Sequence, residues 1–596
     1  MRKMFLTAGV IALLGGALPL AAQQAADAVQ PEVATSRAEV EGVSPALAAA
    51  LSAKGLGQPV EAQNWMVAAA NPLAVEAGAD VLRQGGSAAD AMVAVQAVLG
   101  LVEPQSSGLG GGAFLVWYDA ETGELTTLDG RETAPLAARP TLFQDEAGEP
   151  LKFFDAVVGG RSVGTPGTPA LMEAAHRRWG RLDWAPLFDR AIALAEDGFT
   201  VSPRLAEQIA ADADRLGRYR DTANYFLPGG TPLAAGDVKK NRPYARTLAA
   251  LAEGGAAEFY TGAIGKTIAR VVQEAEGNPG VLAEIDMALY EVRERPAVCV
   301  PYRAYEVCGM GPPSSGALTV GQILGLVSGH DMAALGPDSP EAWRLIGDAS
   351  RLAFADRGRY MADSDFVPVP VKGLVDAAYL EERAKLLDTD AALGDVAPGN
   401  PGFDHAWADD DSIEFPSTSH ISIVDSAGNA LSMTTTIENG FGSRLMVRGF
   451  LLNNELTDFS FRTHADGVPI ANRVEPGKRP RSSMAPTIVM QGGKPVLVIG
   501  SPGGSRIIGY VAQAVIAWAD WGMNVQQAVS MGHGLNRFGT FDLEEGTDAA
   551  KLQEPLEAMG FEVSVQGLNS GLHGIAIGET LQGGADPRRE GIALGE

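Results

Sequence analysis

The chain has 596 residues, 46% of them hydrophobic and 20% charged, a balance that excludes a disordered or membrane-embedded protein. Its 46 basic and 73 acidic residues leave a net charge of −27, which argues against a nucleic-acid or anionic-membrane partner. That length exceeds one average domain, although large layered α/β enzymes hold as much in one unit.

At the N-terminus, Arg2 and Lys3 precede the apolar run MFLTAGVIALLGGALPLAA, and a small-residue boundary falls near Ala22. This order predicts a signal peptide over 1–22 and export to the periplasm or beyond. The apolar part is short for a membrane anchor, and no cysteine follows it to carry a lipid. Asn71 and Pro72 then open a helix that closes on Gly85-Gly86, and Ser87 starts a second helix rich in small residues. SSGLGGGAFLVWYD runs from a glycine turn into a strand; TPALMEAAHRRWG and APLFDRAIALAEDGF read as further helices.

The two cysteines, Cys299 and Cys308, flank Tyr302–Tyr305 in what reads as a hairpin. In that register the thiols face each other, and an oxidising compartment permits a disulfide. Two buried free thiols are the alternative, because Arg303-Ala304 is a poor two-residue loop. Residues 388–416 are rich in Asp, Gly and Pro, which predicts an exposed, mobile loop. Strands are expected after it at 418–424, 430–438, 445–453, 485–491 and 495–500, then a helix in IIGYVAQAVIAWADW. Helices flanking stacked sheets are the expected layers.

The segment ISIVDSAGNALSM reads as two strands joined by Ser426-Ala427-Gly428, with Gly428 supplying the left-handed residue that a three-residue loop requires. Asp425 then pairs with Asn429, and Thr418 falls opposite Thr436 with Cβ atoms roughly 5 Å apart. Alternation puts Ile421, Ile423, Leu431, Met433 and Ile437 on one face. Thr418, His420, Ser422, Ser432, Thr434, Thr436 and Glu438 share the other. Such a polar face is ordinarily solvent-facing. A hydroxyl at the mouth of a loop, facing a second hydroxyl, also suits a threonine that attacks its own preceding peptide bond. Cleavage between Ser417 and Thr418 frees an α-amine whose unperturbed pKa of about 7.7–8.0 fits it to act as base for its own hydroxyl.

TSHISIVD, LLNNELTDFS, RPRSSMAPTIV, GSPGGS and GGADPRREG resemble the γ-glutamyltransferase (glutathione hydrolase) family of N-terminal nucleophile hydrolases. Upstream, EPQSSGLGGGAF, LDGRETAP, GTPGT, EFYTG and GPPSSG match the same family in the same order, so the resemblance runs from Asn71 to Gly591. It implies an α+β fold, a four-layer αββα sandwich formed jointly by a large piece, 23–417, and a small piece, 418–596, after self-cleavage. Thr418 is then the nucleophile, and Thr436 holds its amine. Arg131 would grip the substrate α-carboxylate as a guanidinium fork. Ser482 and Ser483 would bind the same carboxylate, and Asp458, with Glu455 nearby, the ammonium. Gly503-Gly504, between the strand PVLVIG and a helix, would form an oxyanion hole; no Gly-Lys-Ser/Thr follows, so a nucleotide loop is rejected.

Two features depart from the family pattern. Glu438 stands where members carry Asn, and the stretch between Asp458 and Ser482 is shorter than a full lid and lacks Tyr and Trp. The seven histidines show no paired metal-ligand spacing, and His420 reads as a structural hydrogen-bonding residue. The expectation is therefore a self-processing enzyme that needs no metal or organic cofactor. It would transfer the γ-glutamyl group of glutathione or a related compound to water or to an amino acid or peptide. Its rivals are a same-fold acylase acting on glutaryl, cephalosporin or poly-glutamate amides, and an unprocessed, catalytically silent binding protein.

Overall fold

The computed structural model describes residues 44–596 apart from 411 and 413, so the expected signal segment 1–22 lies outside the described residues. Two seven-stranded antiparallel sheets stack face to face. The first runs, in spatial order, Ile592–Gly595, Met66–Ala69, Ser419–Val424, Ala430–Thr436, Gly112–Tyr118, Leu125–Gly130 and Arg293–Arg295. The second runs Val60–Ala62, Leu581–Ala585, His573–Ile577, Lys494–Gly500, Thr487–Gln491, Tyr305–Gly309 and Val298–Tyr302.

Helices cover both outer faces. Asn71 caps the helix Pro72–Arg83 by accepting from Leu73 N–H, and Ser87 and Asp90 form a reciprocal capping box for Ala88–Val102. Both helices carry small side chains, so they pack closely on Ile421, Ile423, Leu431 and Met433 of the first sheet. Gly316–Val327, Pro340–Tyr360 and Ile507–Ala519 pack on Val489, Leu497 and Ile499 of the second. Between the sheets lie Met66, Ala68, Val116, Val424, Val498 and Ile575. The architecture is the expected α+β sandwich, αββα.

The hairpin has the expected register, with Ser419 opposite Thr435 and His420 opposite Thr434, and Gly428 has φ 86°. Its polar face is not solvated: every residue of both strands is buried. That face packs on the second sheet, where Ser422 Oγ donates to the His573 carbonyl (3.2 Å) and Ser432 Oγ to the Ile499 carbonyl (3.2 Å). These two hydroxyls serve there because each satisfies a carbonyl across the interface.

Two other expectations need correction, and the open question of the cysteine pair is decided. The strand expected over 445–453 is two short strands, Met446–Val447 and Phe450–Leu451, because the chain reverses at Arg448-Gly449. The end of the acidic loop is not exposed: Glu414–Ser417 are buried, with the Phe415 ring 4.0 Å from that of Phe153. Arg303-Ala304 does close the cysteine hairpin. Arg303 adopts φ 55° and its guanidinium is held by Asp520 and the carbonyls of Ser328 and His330. Cys299 pairs with Cys308 in that hairpin and is bonded to it.

Candidate active site

A narrow cavity between the two sheets and the end of the acidic loop is lined by Arg131, Thr418, Thr436, Glu438, Glu455, Asp458, Ser482, Ser483 and Gly504. These positions are scattered over most of the chain, and the sandwich brings them together.

Thr418 immediately precedes the first strand of the hairpin, Ser419–Val424, and Thr436 ends the second. Thr418 Oγ1 donates to Thr436 Oγ1 at 3.1 Å, and Thr436 Oγ1 also accepts from Glu438 N–H at 2.9 Å. With the chain continuous through Ser417–Thr418, Thr418 has φ 114°, a region that a β-branched residue enters only under strain of about 1–3 kcal/mol. The strained residue is the one whose peptide bond would break. The Ser417 carbonyl accepts from Gly503 N–H at 3.3 Å, the Ser417 hydroxyl donates to the Gln105 carbonyl at 3.1 Å, and Arg589 Nη1 donates to the Thr418 carbonyl at 3.0 Å. Gly503 and Gly504 have φ 134° and 56°, and a side chain at Gly504 would strike the Phe415 carbonyl. Close backbone approach is what requires glycine there.

The second part of the site is acidic. Arg131 is fully buried, so a solvated surface role is excluded. Its Nη1 pairs with Glu455 and its Nη2 with Asp458, while Nε donates to the Pro480 carbonyl (3.2 Å) and Nη2 to that of Arg481 (2.9 Å). The fork expected to meet a substrate carboxylate is thus engaged by protein acceptors. Glu438 takes neither Arg444, which pairs with Asp212, nor Arg448, which reaches Thr267. Its Oε1 accepts from Phe415 N–H (3.3 Å), and its Oε2 accepts from Asn454 Nδ2. Burial pushes the Glu438 carboxyl well above the usual range, and Asp458 and Glu455 push it further. Burial also raises Glu455 and Asp458. Glu132, fully buried beside Arg131, is raised by burial and by Glu455, and neither of its carboxyl oxygens has a hydrogen-bond partner among the described residues. Three carboxyl groups, Glu132, Glu455 and Asp458, share the one guanidinium of Arg131, and Glu438 adjoins two of them, so some of the four hold protons.

Ser482 Oγ accepts from Met484 N–H (3.1 Å), and Ser483 Oγ donates to Glu414 and accepts from Arg357 Nη2 (2.7 Å). His420 is buried, its ring nitrogens engaged by Thr434 Oγ1 (2.9 Å) and Ser422 Oγ (3.0 Å). Burial, and then His573, holds its pKa well below the ordinary value, so it is a neutral structural group.

Sequence reasoning missed Glu132, Asn454, Glu414 and Arg357. The first two sit inside motifs already singled out, and their neighbours drew the attention. Glu414, four residues before Thr418, is visible as a carboxyl close to the expected cut; only folding shows where it points.

The sequence profile described as gamma-glutamyltranspeptidase matches residues 74–596. The chain is 37% identical to a glutathione hydrolase proenzyme of Bacillus subtilis (strain 168), covering 89% of this chain and 92% of that one. It is 36% identical to that of Escherichia coli (strain K12), covering 89% and 91%. An acylase ACY 1 proenzyme of Pseudomonas sp. (strain SE83) is 33% identical over 90% of this chain and 94% of its own. Among solved structures, a cephalosporin acylase from Bacillus halodurans superposes with a TM-score of 0.80 at 26% identity, covering 90% of this chain and 97% of its own. The Helicobacter pylori gamma-glutamyltranspeptidase superposes with a TM-score of 0.54 at 35% identity, covering 57% and 96%. The chain belongs to the γ-glutamyltranspeptidase family.

Proposed function

We propose that the chain cuts itself between Ser417 and Thr418 and then works as a γ-glutamyltransferase and glutathione hydrolase with Thr418 as the nucleophile. The observation that carries this reading is the alignment at the bond itself: Thr418 Oγ1 lies 3.1 Å from Thr436 Oγ1, while the Ser417 carbonyl accepts from Gly503 N–H at 3.3 Å. Attack by Thr418 Oγ1 on the Ser417 carbonyl carbon places the developing oxyanion on the oxygen that Gly503 N–H already holds. The Thr418 nitrogen leaves with a proton, an ester links Ser417 to Thr418 Oγ1, and water hydrolyses it. The products are a piece ending at Ser417 and a piece beginning at Thr418 with a free α-amine. That amine, with a pKa near about 7.7–8.0 before perturbation, takes the proton from Oγ1 in the second reaction. Thr418 Oγ1 then attacks a γ-glutamyl amide, the amine of the leaving group departs protonated, and water or an amino acid or peptide amine releases the γ-glutamyl group.

Glu438, Glu455 and Asp458 form the end of the cavity that favours a substrate ammonium, with Gly503-Gly504 at the reacting carbonyl. The cleavable signal at 1–22 would deliver the enzyme to the periplasm or outside the cell. A second reading, a glutaryl or cephalosporin acylase of the same fold, draws on one observation: Arg131 already partners Glu455 and Asp458, which reduces the negative charge left for an ammonium. Parallel assays of the purified protein on γ-glutamyl anilide, glutaryl anilide and poly-glutamate separate the two. The proposed function requires the highest kcat/KM on γ-glutamyl anilide; a preference for glutaryl anilide would establish the acylase.

A further inference from the structure

The helix Pro45–Gly55 precedes the residues that match the family profile, 74–596, yet one of its side chains ends two contacts from Thr418. Ser44 caps the helix by accepting from Leu47 N–H (3.3 Å), and Pro45 opens the first turn. Leu47 and Ala50 are buried, and Lys54 follows them at spacings of three and four residues. The lysine therefore lies on the face turned to the protein, where an apolar residue is the ordinary choice. Its ammonium donates to the carbonyls of Arg589 (2.5 Å) and Gly591 (2.6 Å), in the loop between the strands Leu581–Ala585 and Ile592–Gly595.

In that loop three charged side chains go three ways. Arg588 pairs with Asp586 (3.0 Å) and Glu544, and Glu590 accepts from Arg204 N–H (3.1 Å). Arg589 turns to the hairpin, where Nη1 donates to the Thr418 carbonyl (3.0 Å) and Nη2 to that of Asn569 (3.3 Å). In the uncut chain Thr418 is also restrained by Ser417. After the proposed cut its nitrogen is a free amine, and the Arg589 contact to its carbonyl stands beside the Thr436 contact to its Oγ1. Stability does not explain the lysine. Burial holds its pKa at about 8, below the ordinary 10.5, although Asp586 and Glu590 pull it up. His573, also near it, is held neutral, at about 3, by burial and then by Lys54 itself. A lysine lowered in the fold binds its proton more readily in the unfolded chain. Its ammonium thus costs stability below pH about 8, and the cost fades as pH rises toward 10.5.

We propose that Lys54 is a positioning residue for Thr418: by holding the Arg589 and Gly591 carbonyls it aims the Arg589 guanidinium at the Thr418 carbonyl, and so orients the residue that carries both nucleophile and base. The assignment rests on the reading above that Thr418 is the nucleophile, and it holds whichever acyl group Thr418 takes.

The test follows γ-glutamyl anilide hydrolysis by the full-length protein. Lys54→Met keeps an unbranched side chain and removes the charge and both hydrogen bonds. It should lower kcat by roughly 10- to 100-fold and leave KM within about twofold, the signature of a slightly misplaced nucleophile. Its melting temperature at pH 7 should match or exceed that of the unsubstituted protein. Arg589→Met should give the same loss, and adding Lys54→Met to it should change kcat by less than about twofold, because the two act in series. Losses that multiply, an unchanged kcat, an effect on KM alone or a fall in melting temperature overturn the role. Should either variant leave the chain uncut, Thr418→Ala chains with and without that substitution decide. Equal melting temperatures mean that a folded chain has lost the cut because Thr418 is misplaced, as proposed; a lower one means that the substituted residue only supports the fold, and rejects the role. If the unsubstituted protein turns over glutaryl but not γ-glutamyl anilide, the substrate reading alone fails, and the comparison runs on glutaryl anilide. An unsubstituted chain that stays uncut, or turns over neither, sinks the Thr418 reading and this proposal together.

Discussion

Glu438 shows at the scale of one residue how burial, rather than sequence identity, sets charge. Its carboxyl is raised because burial and two neighbouring carboxyls disfavour ionisation. In the unfolded chain it titrates near about 4.3, and in the fold well above that, so stability is full at low pH and falls as pH rises through the folded value. Glu438→Gln should therefore flatten the loss of melting temperature between pH 5 and pH 8, a window chosen to lie above the roughly 4.3 of a free glutamate. A slope identical to that of the unsubstituted protein would show that Glu438 is ionised throughout. The same variant should lose more kcat/KM on γ-glutamyl than on glutaryl anilide, since only the former carries the ammonium. Arg131→Gln leaves Glu455 and Asp458 buried without their cation and should destabilise the protein by about 3–5 kcal/mol, read by urea denaturation. A small change would mean that those carboxyls are already neutral. Thr418 and Thr436 were legible at this scale because hairpin pairing is local. The Arg357–Glu414 contact joins residues 57 positions apart and could not be read from spacing.

Among the elements, the hairpin Ser419–Thr436 positions Thr418, the proposed nucleophile, and its register depends on a three-residue turn. Gly428 there has φ 86°, and a Cβ would have room, its nearest neighbour being Ala120 Cβ at 3.5 Å. Gly428→Ala thus isolates backbone strain and should cost about 1–2 kcal/mol, measured by urea denaturation. No change would show that the turn relaxes to another geometry without moving the strands. Helix starts at Asn71 and Ser87 were readable because a cap is a side chain bonding its own neighbours. The polar hairpin face was misleading, since alternation shows which residues share a face and not what covers it. The second sheet covers it, and that sheet draws its strands from both sides of the proposed cut.

Across the whole molecule, the order of strands makes the two halves inseparable. Ser419–Val424 and Ala430–Thr436 lie between Met66–Ala69 and Gly112–Tyr118, so residues after the proposed cut are zipped on both edges to residues before it. The pieces 44–417 and 418–596 should therefore co-elute through native gel filtration and part only in denaturant; separation in native buffer would contradict the shared sandwich. The fold class was legible because ordered motifs carried the resemblance, whereas the burial of Glu414–Ser417 was hidden behind an acidic, proline-bearing composition that ordinarily marks an exposed loop. The central claim is that Thr418 breaks its own preceding bond and then performs catalysis. Intact-mass spectrometry of purified Thr418→Ala beside the unsubstituted protein tests it most directly. The account predicts two masses with a new N-terminus at Thr418 for the unsubstituted protein. It predicts one uncut, inactive chain for the variant. A Thr418→Ala chain that still divides between residues 417 and 418 would show that another group or a separate protease makes the cut.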